Sequence, residues 1–293
     1  MTTAIAFDTP RALQMWAAVR AGFARAWIEI RQNLTETGYV LSHAIAPVGS
    51  VAVLLVMRGK TVPGTDFALG TMVLPSMLGM WIVFGGFAAP TSVITTDRED
   101  GTLLRAKATP NGMLGYLVGK IVMFAFSTLL GLTTIFIPGI MIVGDLILDA
   151  QAWLLLALII VVGMVSTVPI GVGLGSLMKS PTQAALVPLA GMLLVVISGI
   201  YYPITALPTW LQWVGQAFPF YWVGLGARSA MLPVEMVAAE IGGSWRTLEM
   251  FAVLSVWAAL GILLAPILLR RMARRQSGSA LAKVRERIML EGY

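Results

Sequence analysis

The chain has 293 residues, 58% hydrophobic and 12% charged, with a mean hydropathy of +0.85 and a formal net charge of +6. Soluble domains average about 45–50% apolar and about 25% charged residues, so water is excluded as the main solvent of this fold. The absence of cysteine excludes disulfides, thiolate metal sites and iron–sulfur clusters, and a single histidine excludes multi-histidine metal sites.

The N-terminus opens on Thr2, Thr3, Asp8 and Arg11 without a short apolar run and cleavage site. No signal peptide is expected, and the first membrane helix must target the chain. Residues 11–33 set Leu13, Trp16, Phe23, Trp27 and Ile30 at helical spacing among arginines. This predicts a helix lying in the headgroup layer; the alternative, a solvated helix, would leave two tryptophans in water.

A bilayer-spanning helix needs roughly 20 predominantly apolar residues. Uncharged stretches run from Thr37 to Met57, Phe67 to Thr96, Ile121 to Gly144, Ala150 to Met178, Ser180 to Ala227 and Met250 to Leu269. They predict spans over 38–57, 67–95, 112–142, 152–177, 183–202 and 247–269. The fifth stretch is too long for one helix and contains Pro203, Pro208 and Pro219, so a re-entrant or surface-lying segment over 203–232 is expected after the span. The expected fold is therefore an all-α integral membrane protein with an N-terminal segment 1–37, a six-helix membrane domain 38–269 and a basic tail 270–293.

Gly85 and Gly86 in the second span, and Gly171, Gly173 and Gly175 in the fourth, suit close helix packing. Tyr201, Tyr202, Trp210, Trp213, Tyr221 and Trp222 cluster among prolines and read as an interfacial belt or an exit gate. In the tail, Leu281, Val284 and Ile288 share one face and Lys283, Arg285 and Arg287 lie on others. That pattern suits contact with a partner protein or anionic lipid, or a solvated tail.

Basic residues collect on the cytoplasmic side of membrane proteins. Arg11, Arg20, Arg25 and Arg31, then Arg98, Arg105 and Lys107, then Lys179, then the seven of the tail fall on one side, fifteen in all. Arg58, Lys60, Arg228 and Arg246 fall on the other. Both termini are expected in the cytoplasm, and this arrangement accounts for the positive charge without nucleic acid.

Charged residues at the bilayer centre are costly and are retained for a purpose. His43 and Lys120 are the only candidates inside the spans, and a hydrogen-bonded structural role is weighed against proton relay. Gly119-Lys120 is a false match to a phosphate loop, since Ile121 follows and the first glycine is missing. No Gly-x-Ser-x-Gly or His-Glu-x-x-His occurs, so an enzyme acting on lipid is disfavoured. Energy for uphill transport would have to come from a partner.

One cytoplasmic loop is distinctive: Asp97-Arg98-Glu99-Asp100-Gly101-Thr102-Leu103-Leu104-Arg105-Ala106-Lys107-Ala108-Thr109-Pro110. The acidic cluster is expected to break the second span, Gly101 to turn the chain, and the residues after it to form a short helix that Pro110 ends. A rigid charged helix hung between two long ones suits transmission of a push from a soluble protein.

These residues resemble the signature of the ABC-2 family of exporter membrane subunits, a Glu-Arg-Glu-x-Gly-Thr-Leu-x-Arg-Leu-x-x-Thr-Pro pattern between spans two and three. Arg98, Glu99, Gly101, Thr102, Leu103, Arg105, Thr109 and Pro110 match, whereas Asp97 replaces a glutamate and Ala106 a leucine. A second likeness runs from Gly199-Ile200-Tyr201-Tyr202-Pro203 through Leu207-Pro208 and Trp210-Leu211 to Pro219 and Arg228. The resemblance implies a type V exporter-like fold with short helices between spans five and six. It implies pairing of two permease subunits, as a homodimer, and binding of two copies of a cytoplasmic ATP-binding-cassette protein. ATP and magnesium would be held by that partner, with no cofactor on this chain, which would be a transport subunit rather than an enzyme of the bacterial cytoplasmic membrane. Asp97, Arg98, Glu99, Gly101, Thr102, Arg105, Thr109 and Pro110 would couple to the ATPase, with Asp97 and Glu99 pairing to Arg25 or Arg31.

The substrate path is expected between spans two and five, along Met80, Trp81, Phe84, Phe87, Met192, Val195 and Tyr201; packing or lipid-facing roles are the alternative. So apolar a wall suits hydrophobic drugs, antibiotics or lipids and is similar to the drug-resistance branch typified by daunorubicin exporters. The competing reading is an ion-coupled carrier or channel that uses His43 and Lys120 without an ATPase.

Overall fold

The computed structural model describes residues 11–62 and 68–275, so Phe67 and the tail helix face at 281–288 lie outside the described residues. Eleven α-helices follow in order: α1 (Arg11–Thr35), α2 (Thr37–Met57), α3 (Leu69–Glu99), α4 (Thr102–Lys107), α5 (Gly112–Ile142), α6 (Ala150–Leu177), α7 (Pro181–Ala184), α8 (Leu186–Ile197), α9 (Thr209–Ala217), α10 (Pro219–Met231) and α11 (Thr247–Arg275). No strand occurs among the described residues, only one bridge between Thr61 and Ala68. Among the described residues five helices, α2, α3, α5, α6 and α11, are long and apolar enough to cross a membrane. The chain is an all-α integral membrane protein.

Helix α3 is the axis of the bundle, packing on α5, α6 and α10. Its glycines decide how closely the neighbours come. A Cβ on Gly86 would fall 1.9 Å from Thr167 Oγ1 of α6, and one on Gly85 would fall 2.2 Å from Thr128 Oγ1 of α5. Adjacent glycines thus face two different helices. Further along, Gly171 and Gly175 of α6 bring their backbone against α3, where Thr91 Oγ1 shares its proton between Phe87 O at 2.8 Å and Gly171 O at 3.1 Å, and Thr95 Oγ1 between Thr91 O at 2.8 Å and Gly175 O at 3.4 Å. Lipid supplies no hydrophobic drive between helices, so such close contacts and interhelical hydrogen bonds hold the seam. Gly173 faces α11 instead, 3.8 Å from the Ala265 Cα by the same measure.

Helix α2 lies at the edge. Leu54 packs with Val73, Leu74, Met77 and Ile135, while Val40, Leu41, Ile45, Val48, Leu55 and Val56 face outward. His43 belongs to this contact: its Nδ1 lies 3.1 Å from Tyr39 O, its Nε2 3.0 Å from Ser127 Oγ, and Tyr39 donates its hydroxyl to the same serine. Nδ1 faces a carbonyl and therefore acts as a donor there.

The fifth expected span departs most from expectation. Instead of a helix over 183–202, the apolar helix ends at Ile197: α7 and α8, joined through Ala185 in α conformation, form one apolar run over Pro181–Ile197. Gly199 adopts a left-handed conformation (φ 64°), which turns the chain before Pro203. At about 1.5 Å per residue, a run of that length reaches roughly 25 Å, a few ångströms short of the roughly 30 Å of a bilayer core. Beyond it, α9 is exposed at Trp210 and Trp213, but α10 is buried, with Tyr221 and Trp222 fully enclosed. The expected cluster is therefore two structures, an exposed aromatic face on α9 and a packed helix in α10.

Candidate functional site

The loop between α3 and α5 is the best-defined candidate. Helix α3 ends inside the acidic cluster, at Glu99, and Asp97 in its last turn is held by α5. Asp97 Oδ2 accepts from the Tyr116 hydroxyl at 2.7 Å and pairs with Lys120 Nζ at 2.9 Å, both from α5. Lys120 Nζ also lies 2.9 Å from Glu29 Oε2 of α1, and Glu29 Oε1 lies 2.8 Å from Arg25 Nε. Arg25 and Lys120 sit over the Tyr116 ring at 5.3 and 5.7 Å.

This corrects the expected pairing, since among the described residues neither Asp97 nor Glu99 pairs with Arg25 or Arg31. The reason is local. Glu29, one helical turn beyond Arg25, takes that guanidinium, and Lys120 enters between the two carboxylates. Burial raises the Glu29 carboxyl, but its bonds to Arg25 and Lys120 outweigh that cost and hold it below its ordinary value of 4.5. Lys120 is thus a structural cation bridging three helices.

The turn itself follows from sequence. Gly101 is buried at φ 78°, a left-handed position that a side chain would strain, and Asp100 Oδ1 accepts from Thr102 N at 2.8 Å. Leu103 and Ala106 bury the inner face of α4, while Arg105, Lys107, Thr109 and Pro110 remain exposed. Thr102 accepts from Arg105 Nη2 at 2.9 Å. Arg98 donates to Met178 O at 2.6 Å, at the C-terminal cap of α6. The expected coupling set therefore divides. Asp97, Arg98 and Gly101 hold the loop to the bundle, Glu99 and Thr102 are half-exposed, and Arg105, Thr109 and Pro110 form the presented surface.

Helix α1 completes this end. Its Gly22 crosses Gly115 and Gly119 of α5 so closely that a Cβ on Gly22 would lie 2.6 Å from Gly115 O. Trp16, Phe23 and Trp27 point outward. A cavity of about 540 Å³ opens between α1, α4 and the start of α5, lined by Arg25, Arg105, Thr109, Pro110, Asn111 and Tyr116 among others.

The residues expected to line a substrate path are only partly brought together. Tyr201 directs its hydroxyl at Met80 Sδ, 3.5 Å away, and Val195 is buried beside them. Phe84 and Phe87 meet Phe220 of α10 edge-on at 5.5 and 6.5 Å. Phe220 was not expected there; Pro219, which starts α10, was its one visible signal. Trp81 lies on another face of α3, donating to Ser50 of α2 at 3.3 Å and packing near Gly131 of α5. Met192 is 61% exposed and faces away with Leu189, Leu193 and Val196. Behind Phe87, a small apolar cavity of about 40 Å³ is lined by Val83, Thr167, Leu194, Phe220 and Trp257 among others.

The opposite end holds polar residues that sequence reasoning did not join. Arg228 of α10 is 1% exposed and donates from Nε to Glu240 Oε1 at 2.7 Å and from Nη1 to Ser76 Oγ at 2.8 Å. Helix α10 reaches α3 here because Gly79 and Gly224 allow backbone contact; a Cβ on Gly79 would lie 2.5 Å from Gly224 Cα.

Comparison with known proteins bears on this geometry. Residues 57–263, well over half of the chain, match the family model described as ABC-2 family transporter protein. A Bacillus subtilis (strain 168) protein named "Putative transport permease YvfS" is 27% identical over 203 residues, covering 68% of this chain and 80% of that protein.

Proposed function

The chain belongs to the ABC-2 family of transporter proteins, and we propose that it serves as the permease subunit of an ATP-driven exporter powered by a separate ATP-binding-cassette protein. The membrane component of an ABC transporter is what the family supplies. Outward movement of a hydrophobic or amphipathic cargo, such as a drug, antibiotic or lipid, is our extension of it. In this reading the α1 and α4 end faces the cytoplasm, two copies of the chain pair as a homodimer, and two cassette proteins dock below them.

The observation that carries the proposal is the divided loop. Its inner residues are bonded to α5 and α6, so a force applied to Arg105, Thr109 or Pro110 is delivered to α3 and α5 rather than absorbed by a flexible connection. The aromatic contact of Phe84 and Phe87 with Phe220 and the low charge of the path wall support an apolar cargo.

Co-expression with the cassette protein of a neighbouring reading frame tests the reading. Tagged chain is expected to retain that protein on purification, and Arg105→Glu to reduce retention about tenfold at an unchanged unfolding temperature, since the exposed guanidinium contributes to docking and not to packing. Movement of a lipophilic dye into vesicles containing this chain alone, unaffected by the cassette protein, would replace the proposal with an autonomous carrier.

A further inference from the structure

Arg228 is the largest side chain that is essentially fully enclosed. Its guanidinium ties its own helix to three other segments. It is carried by α10, pairs with Glu240 in the stretch before α11, donates to Ser76 of α3, and donates to Gly199 O at 3.3 Å, just beyond the C-terminus of α8. The last contact is electrostatically apt, because the carbonyl end of a helix attracts a cation. Gly215 of α9 closes the same terminus from another side, with Ile197 O 2.4 Å from where its Cβ would lie.

An apolar side chain could fill this volume without desolvating two charges, and a buried ion pair is weak evidence for stability. Ionisable groups kept among membrane helices are better read as functional. The site also holds unused bonding capacity. Glu240 Oε2 and Ser198 Oγ are both buried without a hydrogen-bond partner. Glu240 is the counter-ion of Arg228, and Ser198 precedes the glycine whose carbonyl Arg228 holds. Glu240 therefore keeps one acceptor that no donor fills, so the ion pair is not locked by redundant bonds.

The geometry points to Arg228 as a latch, a positioning residue that holds the end of α8, and with it the Tyr201–Tyr202 segment, against α3 while this mouth of the bundle is closed. Breaking its bonds to Ser76 and Gly199 frees the C-terminal end of α8, which otherwise buries only Val187, Gly191 and Val195. The consequence for transport rests on the permease reading; the latch itself does not.

The chain has no cysteine, so single cysteines report cleanly. Ser198→Cys, in full-length protein in lipid vesicles, is exposed to a membrane-impermeant maleimide, with Ser166→Cys, fully buried in α6, as control. Labelling at 198 is expected to be slow with Arg228 intact, about tenfold faster in Arg228→Met or Glu240→Gln, and intermediate in Arg228→Lys, while labelling at 166 stays slow. Equal rates at 198 in all variants, or a parallel rise at 166, would overturn the latch. Should the charge variants fail to fold, Ser76→Ala leaves the ion pair intact and is expected to give about a threefold rise; no rise overturns the proposal. These measurements need no ATPase, so they stand if the permease reading fails. Adding cassette protein and ATP to the Ser198→Cys chain asks the separate question, and faster labelling then is the result expected if the latch opens during transport.

Discussion

The two ends of the bundle carry buried charge in opposite ways. At the α1 and α4 end the charges form a ladder in which each carboxylate has two donors, Tyr116 and Lys120 for Asp97, Arg25 and Lys120 for Glu29. The ladder reaches the surface, with side-chain exposures of 34% at Arg25 and 20% at Glu29. At the other end Arg228 and Glu240 are each 1% exposed, and one carboxylate oxygen has no partner. Redundant pairing near water builds a rigid mount. A single sealed pair with spare capacity builds something that holds until it is released.

The contrast makes graded predictions. Arg228→Met strands Glu240 in an apolar interior and is expected to cost about 3–5 kcal/mol of unfolding free energy, measured by denaturant titration in detergent. The double substitution Arg228→Met with Glu240→Leu should recover most of that loss, and failure to recover it would show that the pair does more for stability than its geometry accounts for. Lys120→Met removes one donor from each of two carboxylates that keep another, so a smaller loss of about 1–3 kcal/mol is expected in the same titration. A loss equal to that of Arg228→Met would erase the distinction between the two ends.

The smallest effect is acid sensitivity. The Glu29 carboxyl lies below 4.5 when folded, so its contribution is present above that pH and is lost as pH falls through the lower, folded value. The group is partly solvated, which limits the effect. The unfolding temperature is expected to fall on acidification from pH 5 towards 3, and to fall less in Glu29→Gln; identical slopes would remove Glu29 from the ladder.

What the sequence revealed follows the range over which each feature is decided. Long uncharged stretches decide spans locally, and α2, α3, α5, α6 and α11 formed close to where they were expected. The turn at Gly101 and the short helix after it were equally legible, because glycine and proline act on their own backbone. The termination of α8 was not, since Ser198 and Gly199 are both tolerated within apolar helices and only the left-handed φ of Gly199 distinguishes a stop from a continuation. Ion partners were the least visible. Asp97 and Lys120 were each noticed, one as a loop residue and the other as an isolated cation, but their meeting depends on the close crossing of α3 and α5. Arg228 stood out only as part of a motif, and nothing in the apolar run preceding it pointed ahead to Glu240.

The attachment of α1 has a consequence for synthesis. Glu29 finds its lysine 91 residues further along the chain, and Gly22 finds its backbone partners on the same distant helix. At about 5–20 residues per second, a ribosome needs several seconds after making α1 before α5 exists to receive it. During that interval the first helix has its tryptophans but not its glycine seam. The face carrying Trp16, Phe23 and Trp27 stays exposed when α5 arrives, whereas the Gly22 face is without its partner until then.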